Sequence, residues 1–235
     1  MEKLERYSIV TGKFPREIVL LQGRGCFWKR CLFCDYYKDV SDDPYKINKE
    51  VLSKVKGSVG ALDVINSGSA LELDTKTLSL LNEILVKRGI GAVWFEAHWQ
   101  YHNYLQAFAD SISAKNVKFR LGIETFDPNV RAQFKKGFPK DLTPEEISKY
   151  FKGVCLMVGM KGQTKEEVRR NIYIAKRYFE YVSVNLFMEN TTPVKRDEGL
   201  INWFKLEILP IINDDPQMEI MINNTDLGVG SFCTS

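Results

Sequence analysis

Gly23-Arg24-Gly25-Cys26-Phe27-Trp28-Lys29-Arg30-Cys31-Leu32-Phe33-Cys34 decides how the rest of this 235-residue chain is read. Its spacing, Cys-x4-Cys-x2-Cys, crowds three soft thiolate donors into one short loop. The loop directly follows the apolar run Ile18-Val19-Leu20-Leu21, which reads as a strand. Such a donor set wants a metal. The other two cysteines, Cys155 and Cys233, lie far off, one in a predicted strand and one in the extreme tail, so no fourth thiolate for a closed zinc site is supplied nearby. Three thiolates suit an iron–sulfur cluster that leaves one iron open to a substrate or cofactor. A zinc knuckle is the alternative that spacing alone leaves standing.

Outward from the loop, composition sets the bounds. At 27.1 kDa, with 44% hydrophobic and 27% charged residues, the chain is an ordinary globular one, long enough for a single domain over 1–235. The 33 basic and 30 acidic residues leave a net charge of +3, too balanced to demand nucleic acid as a partner, though a phosphate-bearing small molecule is compatible with it. No apolar run reaches the ~18 residues of a membrane span, and Met1-Glu2-Lys3-Leu4-Glu5-Arg6 has no apolar signal core. A cytosolic location without membrane attachment is expected, where thiols stay reduced.

Behind the loop the pattern alternates. Asp42-Asp43-Pro44 starts a helix carrying Ile47, Val51, Leu52 and Val55, and a strand over 62–65 leads to a helix over 75–87. A strand over 92–95, a helix over about 101–114 and a strand over 117–122 follow. Pro128 and Thr143-Pro144-Glu145-Glu146 open two more helices, the second with Thr143 as N-cap. The strand over 154–158 precedes a capping box in which Thr164 pairs with Glu167, and strands over 181–187 and 218–222 flank a helix near 200–209. Six or seven βα units with a parallel sheet result.

At the cysteine loop the sequence resembles the radical SAM superfamily, whose members hold a four-iron four-sulfur cluster through three cysteines after the first barrel strand. An aromatic residue usually precedes the third cysteine there, and Phe33 stands in that place; the first spacing is four residues here rather than the family's three. The resemblance implies an α/β fold, a partial (βα)6-7 TIM-type barrel. It implies Cys26, Cys31 and Cys34 as iron ligands, a 4Fe-4S cluster and S-adenosylmethionine as cofactors, and an electron donor such as flavodoxin or ferredoxin. In that family the open iron binds the amino and carboxylate groups of S-adenosylmethionine, and one electron releases a 5′-deoxyadenosyl radical that abstracts hydrogen from substrate.

In such folds the residues just past each strand meet at one mouth. Ser67-Gly68-Ser69 resembles the Ser-Gly-Ser form of the motif that holds the amino group of S-adenosylmethionine, and an ordinary βα turn is its bland alternative. Gly122-Ile123-Glu124-Thr125 resembles the family's Gly-x-Glu-Thr/Ser element, with Glu124 as acceptor for a ribose hydroxyl or amino group; alternatively Glu124 is a helix-start carboxylate. The stretch from Met157 to Thr164 resembles the Gly-x-x-Gly-x-Thr signature on the adenine side of the cofactor. Phe33, Ser67, Gly68, Ser69, Glu124 and Met157 are thereby cofactor-side candidates.

Alternation puts Glu96 and His98 on one face, as catalytic candidates or as satisfied structural residues. Asn185 is a substrate-side candidate, and so, within an extension over about 195–235, are the basic pair Lys195 and Arg196 and the polar stretch holding Asn223, Asn224 and Asp226; solvated surface charge and an ordinary turn cluster are the bland alternatives for the last two groups. Cys155 reads as a buried filler. Among compact members the pattern looks most like the queuine lyases, which release the 7-deazaguanine base queuine from queuosine or its 5′-phosphate. That likeness would put Asp226 or Glu96 against the base and Lys195 or Arg196 against the phosphate. A radical SAM activase of a glycyl-radical enzyme and a non-enzymatic zinc-binding module are the other two readings.

Overall fold

The apolar run at 18–21 is the second strand of the protein. In the computed structural model, which describes residues 4–230, β1 (Tyr7–Val10) comes first and pairs antiparallel with β2 (Arg16–Leu21), Tyr7 opposite Val19 and Val10 opposite Arg16. Every residue of β1 is only half-buried, so it lacks the apolar run that announces β2. Cys233 lies outside the described residues.

The described chain groups into two compact units, one holding 4–29, 36–119 and 224–230, the other 30–35 and 120–223. In the first unit β2, β3 (Ala61–Asn66) and β4 (Ala92–Glu96) pair parallel in sequence order. Their fully buried residues, among them Ile18, Val19, Leu62, Val64 and Phe95, build its core. The helices that return the chain begin where side chains satisfy the first free amides. Asp43 accepts from Lys46 N at the head of α1 (Pro44–Ser53), and Asp74 accepts from Thr77 N at the head of α2 (Thr75–Arg88). Gly89, in the left-handed region at φ 64°, ends α2.

The helix expected over 101–114 is a 3-10 stretch at Trp99–Tyr104 followed by the short α3 (Leu105–Asp110). Trp99 and His102 stack with ring centroids 4.2 Å apart, an i,i+3 contact that the three-residue turn eclipses and an α-turn does not.

In the second unit β5 (Asn116–Glu124), from Arg120 onward, pairs parallel with β6 (Gly153–Val158). Then β7 (Tyr181–Leu186) and β8 (Met218–Met221) follow in parallel. Between them run α4 (Pro128–Gln133), α5 (Pro144–Tyr150) and α6 (Lys165–Tyr178), capped by Asp127, Thr143 and Thr164. The helix expected near 200–209 starts earlier and is broken: α7 (Glu198–Trp203) passes through a π turn at Phe204–Ile208 into α8 (Leu209–Ile212). Pro210 has no N–H to donate and crowds the preceding turn, and the π turn absorbs both. The parallel βα rhythm read from the sequence is present in each unit. No helix among the described residues is long and apolar enough to cross a membrane.

Candidate active site

The loop after β2 has little regular structure, and side chains from the following strand ends hold it. In the first unit Gly23 N donates to Ser67 Oγ at 2.9 Å, which ties the start of the loop to the turn after β3. Glu72 does more. Its carboxylate accepts from Phe27 N at 3.0 Å, from Ser69 N at 2.8 Å and from the Tyr101 hydroxyl at 2.7 Å. With Ser69 N donating to the Glu72 carboxylate and Glu72 N donating to the Ser69 carbonyl at 2.8 Å, Ser69 and Glu72 stand in the order of a capping box around the 3-10 turn Ala70–Glu72. One box therefore positions the residue next to Cys26. Burial, and then the bond to Glu72, push the Tyr101 hydroxyl well above the usual tyrosine range.

Gly68 is where this turn meets the loop. A Cβ there would lie 2.1 Å from Glu72 Oε2 and 3.1 Å from both Cys26 Cα and Gly25 O, so only hydrogen fits. His98 caps the 3-10 stretch after β4: its Nδ1 accepts from Gln100 N at 3.3 Å, its own amide donates to Ser69 Oγ at 2.9 Å, and its ring stacks on Trp28 with centroids 5.7 Å apart. Glu96 ends β4, half-buried. The two residues paired by alternation thus sit one on the strand and one on the cap that follows it.

In the second unit Phe33 packs with Phe134, Met160 and Phe187, and Cys31, Cys34 and Met157 lie against that cluster. Leu32 N donates to Phe134 O at 3.0 Å, Asn190 Nδ2 to Phe33 O at 2.8 Å, and Thr191 Oγ1 to Asp35 at 2.8 Å. The segment past β7 therefore clasps the end of the cysteine loop.

Glu124, the last residue of β5, has φ 62° at a break in the β5–β6 register, a conformation non-glycine residues rarely adopt. Its neighbours hold it there: Thr125 Oγ1 donates to Glu167 at 2.7 Å, and Phe126 N donates to Asn171 Oδ1 at 2.8 Å. Burial pushes the Glu167 carboxyl up against the hydrogen bonds from Thr125, Gln163 and the Thr164 backbone. Glu124 Oε1 receives Lys136 Nζ at 2.8 Å, a buried pair that the sequence reading missed entirely on the lysine side.

The remaining candidates fall as follows. The Met157 carbonyl accepts from Gln163 Nε2 at 2.9 Å, and the same side chain receives Gly159 N and Met160 N. Asn185 Oδ1 on β7 is buried without a hydrogen-bond partner among the described residues. Arg196 is engaged, donating to the Phe187 carbonyl at 2.7 Å and lying 2.8 Å from Glu198, while Lys195 is exposed 3.4 Å from Glu189. Asn223, Asn224 and Asp226 are exposed around a turn closed by Gly228 N donating to Thr225 O. Cys155 is buried inside β6.

Cys26, Cys31 and Cys34 are all half-buried. Among the described residues no three His, Cys, Asp or Glu side chains converge on one metal ion. A four-iron cluster is a larger body than a single ion, and three thiols are the donor chemistry it takes. Three thiols on the loop after the first parallel strand of an α/β fold are the arrangement of a radical SAM enzyme with the partial-barrel fold of that class.

No protein-family model matches the chain, and neither does any curated protein it was compared with. Among solved structures it is similar to a queuine lyase from Clostridium spiroforme, whose structure is bound to SAM and queuine. Identity is 39% over 97% of this chain and 100% of that one, with a TM-score of 0.93. The chain belongs to the family of that queuine lyase. The structure of Streptococcus suis SuiB shares 14% identity over 88% of this chain and 50% of its own, with a TM-score of 0.58, and shows the fold alone.

Proposed function

We propose that the protein binds S-adenosylmethionine and a 4Fe-4S cluster and releases queuine from queuosine or queuosine 5′-phosphate. The full-length match to the queuine lyase carries this reading. When bound, the cluster and S-adenosylmethionine supply reductive cleavage of the cofactor and hydrogen abstraction from substrate.

Cys26, Cys31 and Cys34 would hold the cluster. The Glu72 box orients the Cys26 side of the loop, and the Phe33 cluster orients the Cys31 and Cys34 side. Gly68 keeps the turn after β3 open, where a methionyl group would approach, and the Ser67 and Ser69 hydroxyls can still donate after accepting from Gly23 N and His98 N. Glu124 has a second carboxylate oxygen that would serve a ribose hydroxyl or amino group, and Met157, packed against the Phe33 cluster, would lie on the adenine side.

On the substrate side, Asn185 Oδ1 is a buried acceptor that asks for a donor, which the amide and amine edge of a 7-deazaguanine base provides. Glu96 or Asp226 would pair with the same edge. Lys195, exposed beside Glu189, would meet the phosphate, and Arg196 shapes the segment behind it through the Phe187 carbonyl. An electron carrier such as flavodoxin or ferredoxin would supply the reducing equivalent.

The test is anaerobic reconstitution with iron and sulfide, then incubation with dithionite, S-adenosylmethionine and a panel of queuosine, queuosine 5′-phosphate, guanosine and adenosine. Queuine should appear with 5′-deoxyadenosine from the first two substrates alone. Equal 5′-deoxyadenosine formation across the panel with no free base would refute the substrate.

A further inference from the structure

Lys136 has no part in the reading above. It stands in the polar stretch Lys135-Lys136-Gly137, yet it is only 9% exposed. A cation is buried at such cost only when something compensates it. Glu124 Oε1 lies 2.8 Å from its Nζ, and the rings of Phe33 and Phe138 lie under it at 5.3 and 5.7 Å. Phe33 is flanked by Cys31 and Cys34, both packed on the same cluster, so the ammonium is held against the segment that carries two of the three thiols.

The surroundings are built to keep it there. The Leu32 amide bonds the Phe134 carbonyl, and Lys136 N bonds Arg131 O at 3.0 Å, which fixes residues 134–136 to the end of the cysteine loop. Lys135 takes φ 54°, a left-handed turn that swings residue 136 inward. Gly122 leaves the space, since a Cβ there would lie 2.9 Å from Glu124 Oε1 and 3.2 Å from Lys136 Nζ. Two non-glycine residues in the left-handed region and one space-limited glycine thus serve a single buried ion pair.

We propose that Lys136 is a positioning cation that raises the reduction potential of the cluster held by Cys31 and Cys34, with Glu124 fixing its place and offsetting part of its charge. The proposal rests on the cluster assignment made above. Reduction adds one electron, delivered by an external low-potential carrier, and makes or breaks no bond to the protein. A fixed positive charge in a site of low dielectric stabilises the reduced, more negative cluster.

The experiment is a mediated redox titration of the reconstituted full-length protein without S-adenosylmethionine, read by the electron paramagnetic resonance of the reduced cluster. Lys136→Met should lower the midpoint potential, and Lys136→Arg should stay near wild type. Glu124→Gln, which leaves the cation uncompensated, should raise it. A purely structural pair would not produce shifts of opposite sign. Wild-type potentials in both Lys136→Met and Glu124→Gln, or shifts in the same direction, would overturn the proposal. If Lys136→Met does not fold, Glu124→Gln alone decides: a rise supports the proposal and its absence overturns it. A wild-type protein that takes up no iron would instead overturn the cluster assignment.

Discussion

Replacing Glu72 by alanine removes the acceptor for three donors on three segments: Phe27 N, Ser69 N and the Tyr101 hydroxyl. Bonds to a carboxylate are worth about 1.5 to 3 kcal/mol each when well shielded, but Glu72 is half-buried and water can reach these groups, so about 1 kcal/mol each is the appropriate scale. The loss of about 3 kcal/mol should lower Tm by roughly 6 to 12 °C in a chain of this length. Glu72→Gln keeps one acceptor oxygen and sets its amide against another donor, so it should fall between wild type and alanine. Thermal unfolding of the cluster-free protein under nitrogen measures this without any contribution from iron. Hydrogen exchange at the Phe27 amide should rise in parallel, because that amide has lost its partner. A Tm within about a degree of wild type, with Phe27 protection unchanged, would refute the idea that this carboxylate holds the cysteine loop.

Alanine at Cys26, Cys31 or Cys34 should abolish the visible absorption of the reconstituted protein, whereas Cys155→Ala and Cys233→Ala should keep it; loss of the chromophore in either of the last two would reassign the ligands. Gly68→Ala should cut iron retention in the presence of a chelator, because its Cβ would meet Glu72 at 2.1 Å and the loop backbone at 3.1 Å; retention at the wild-type level would mean the turn can yield. Burial pushes the Glu17 carboxyl up, but the Lys56 and Ser58 amides and the Tyr7 hydroxyl outweigh it and hold it below its usual 4.5. A depressed carboxyl stabilises the fold above its unfolded value and loses that stabilisation as pH falls through the folded one. Glu17→Gln should therefore flatten the loss of stability below pH 4.5 in denaturant titrations, and an unchanged acid limb would contradict it.

The helix starts were legible because capping is local: Asp43, Thr143 and Thr164 each sit beside the amides they satisfy. The central parallel strands announced themselves by apolar runs. The half-buried β1 carries no such run, so its pairing with β2 could not be read. Glu72 had a signal that went unused, since it stands three residues after Ser69 in the order of a capping box. His98 likewise sits where an N-cap would, and its ring does that work. Lys136 had none: its partner is 12 residues back and its aromatic platform lies in the cysteine loop, so its burial is a tertiary property of a stretch that reads as surface charge. Arg196 was legible as a cation but not as one tied to the Phe187 carbonyl and Glu198.

The measurement that bears most directly on the lyase assignment is a single-turnover time course with reconstituted enzyme, S-adenosylmethionine, dithionite and queuosine 5′-phosphate, following both products by chromatography. Queuine and 5′-deoxyadenosine should rise together at the same initial rate, and the Cys31→Ala protein should form neither. 5′-Deoxyadenosine accumulating at one slow rate with or without the nucleotide, and no queuine, would contradict the lyase assignment while leaving the radical SAM fold in place.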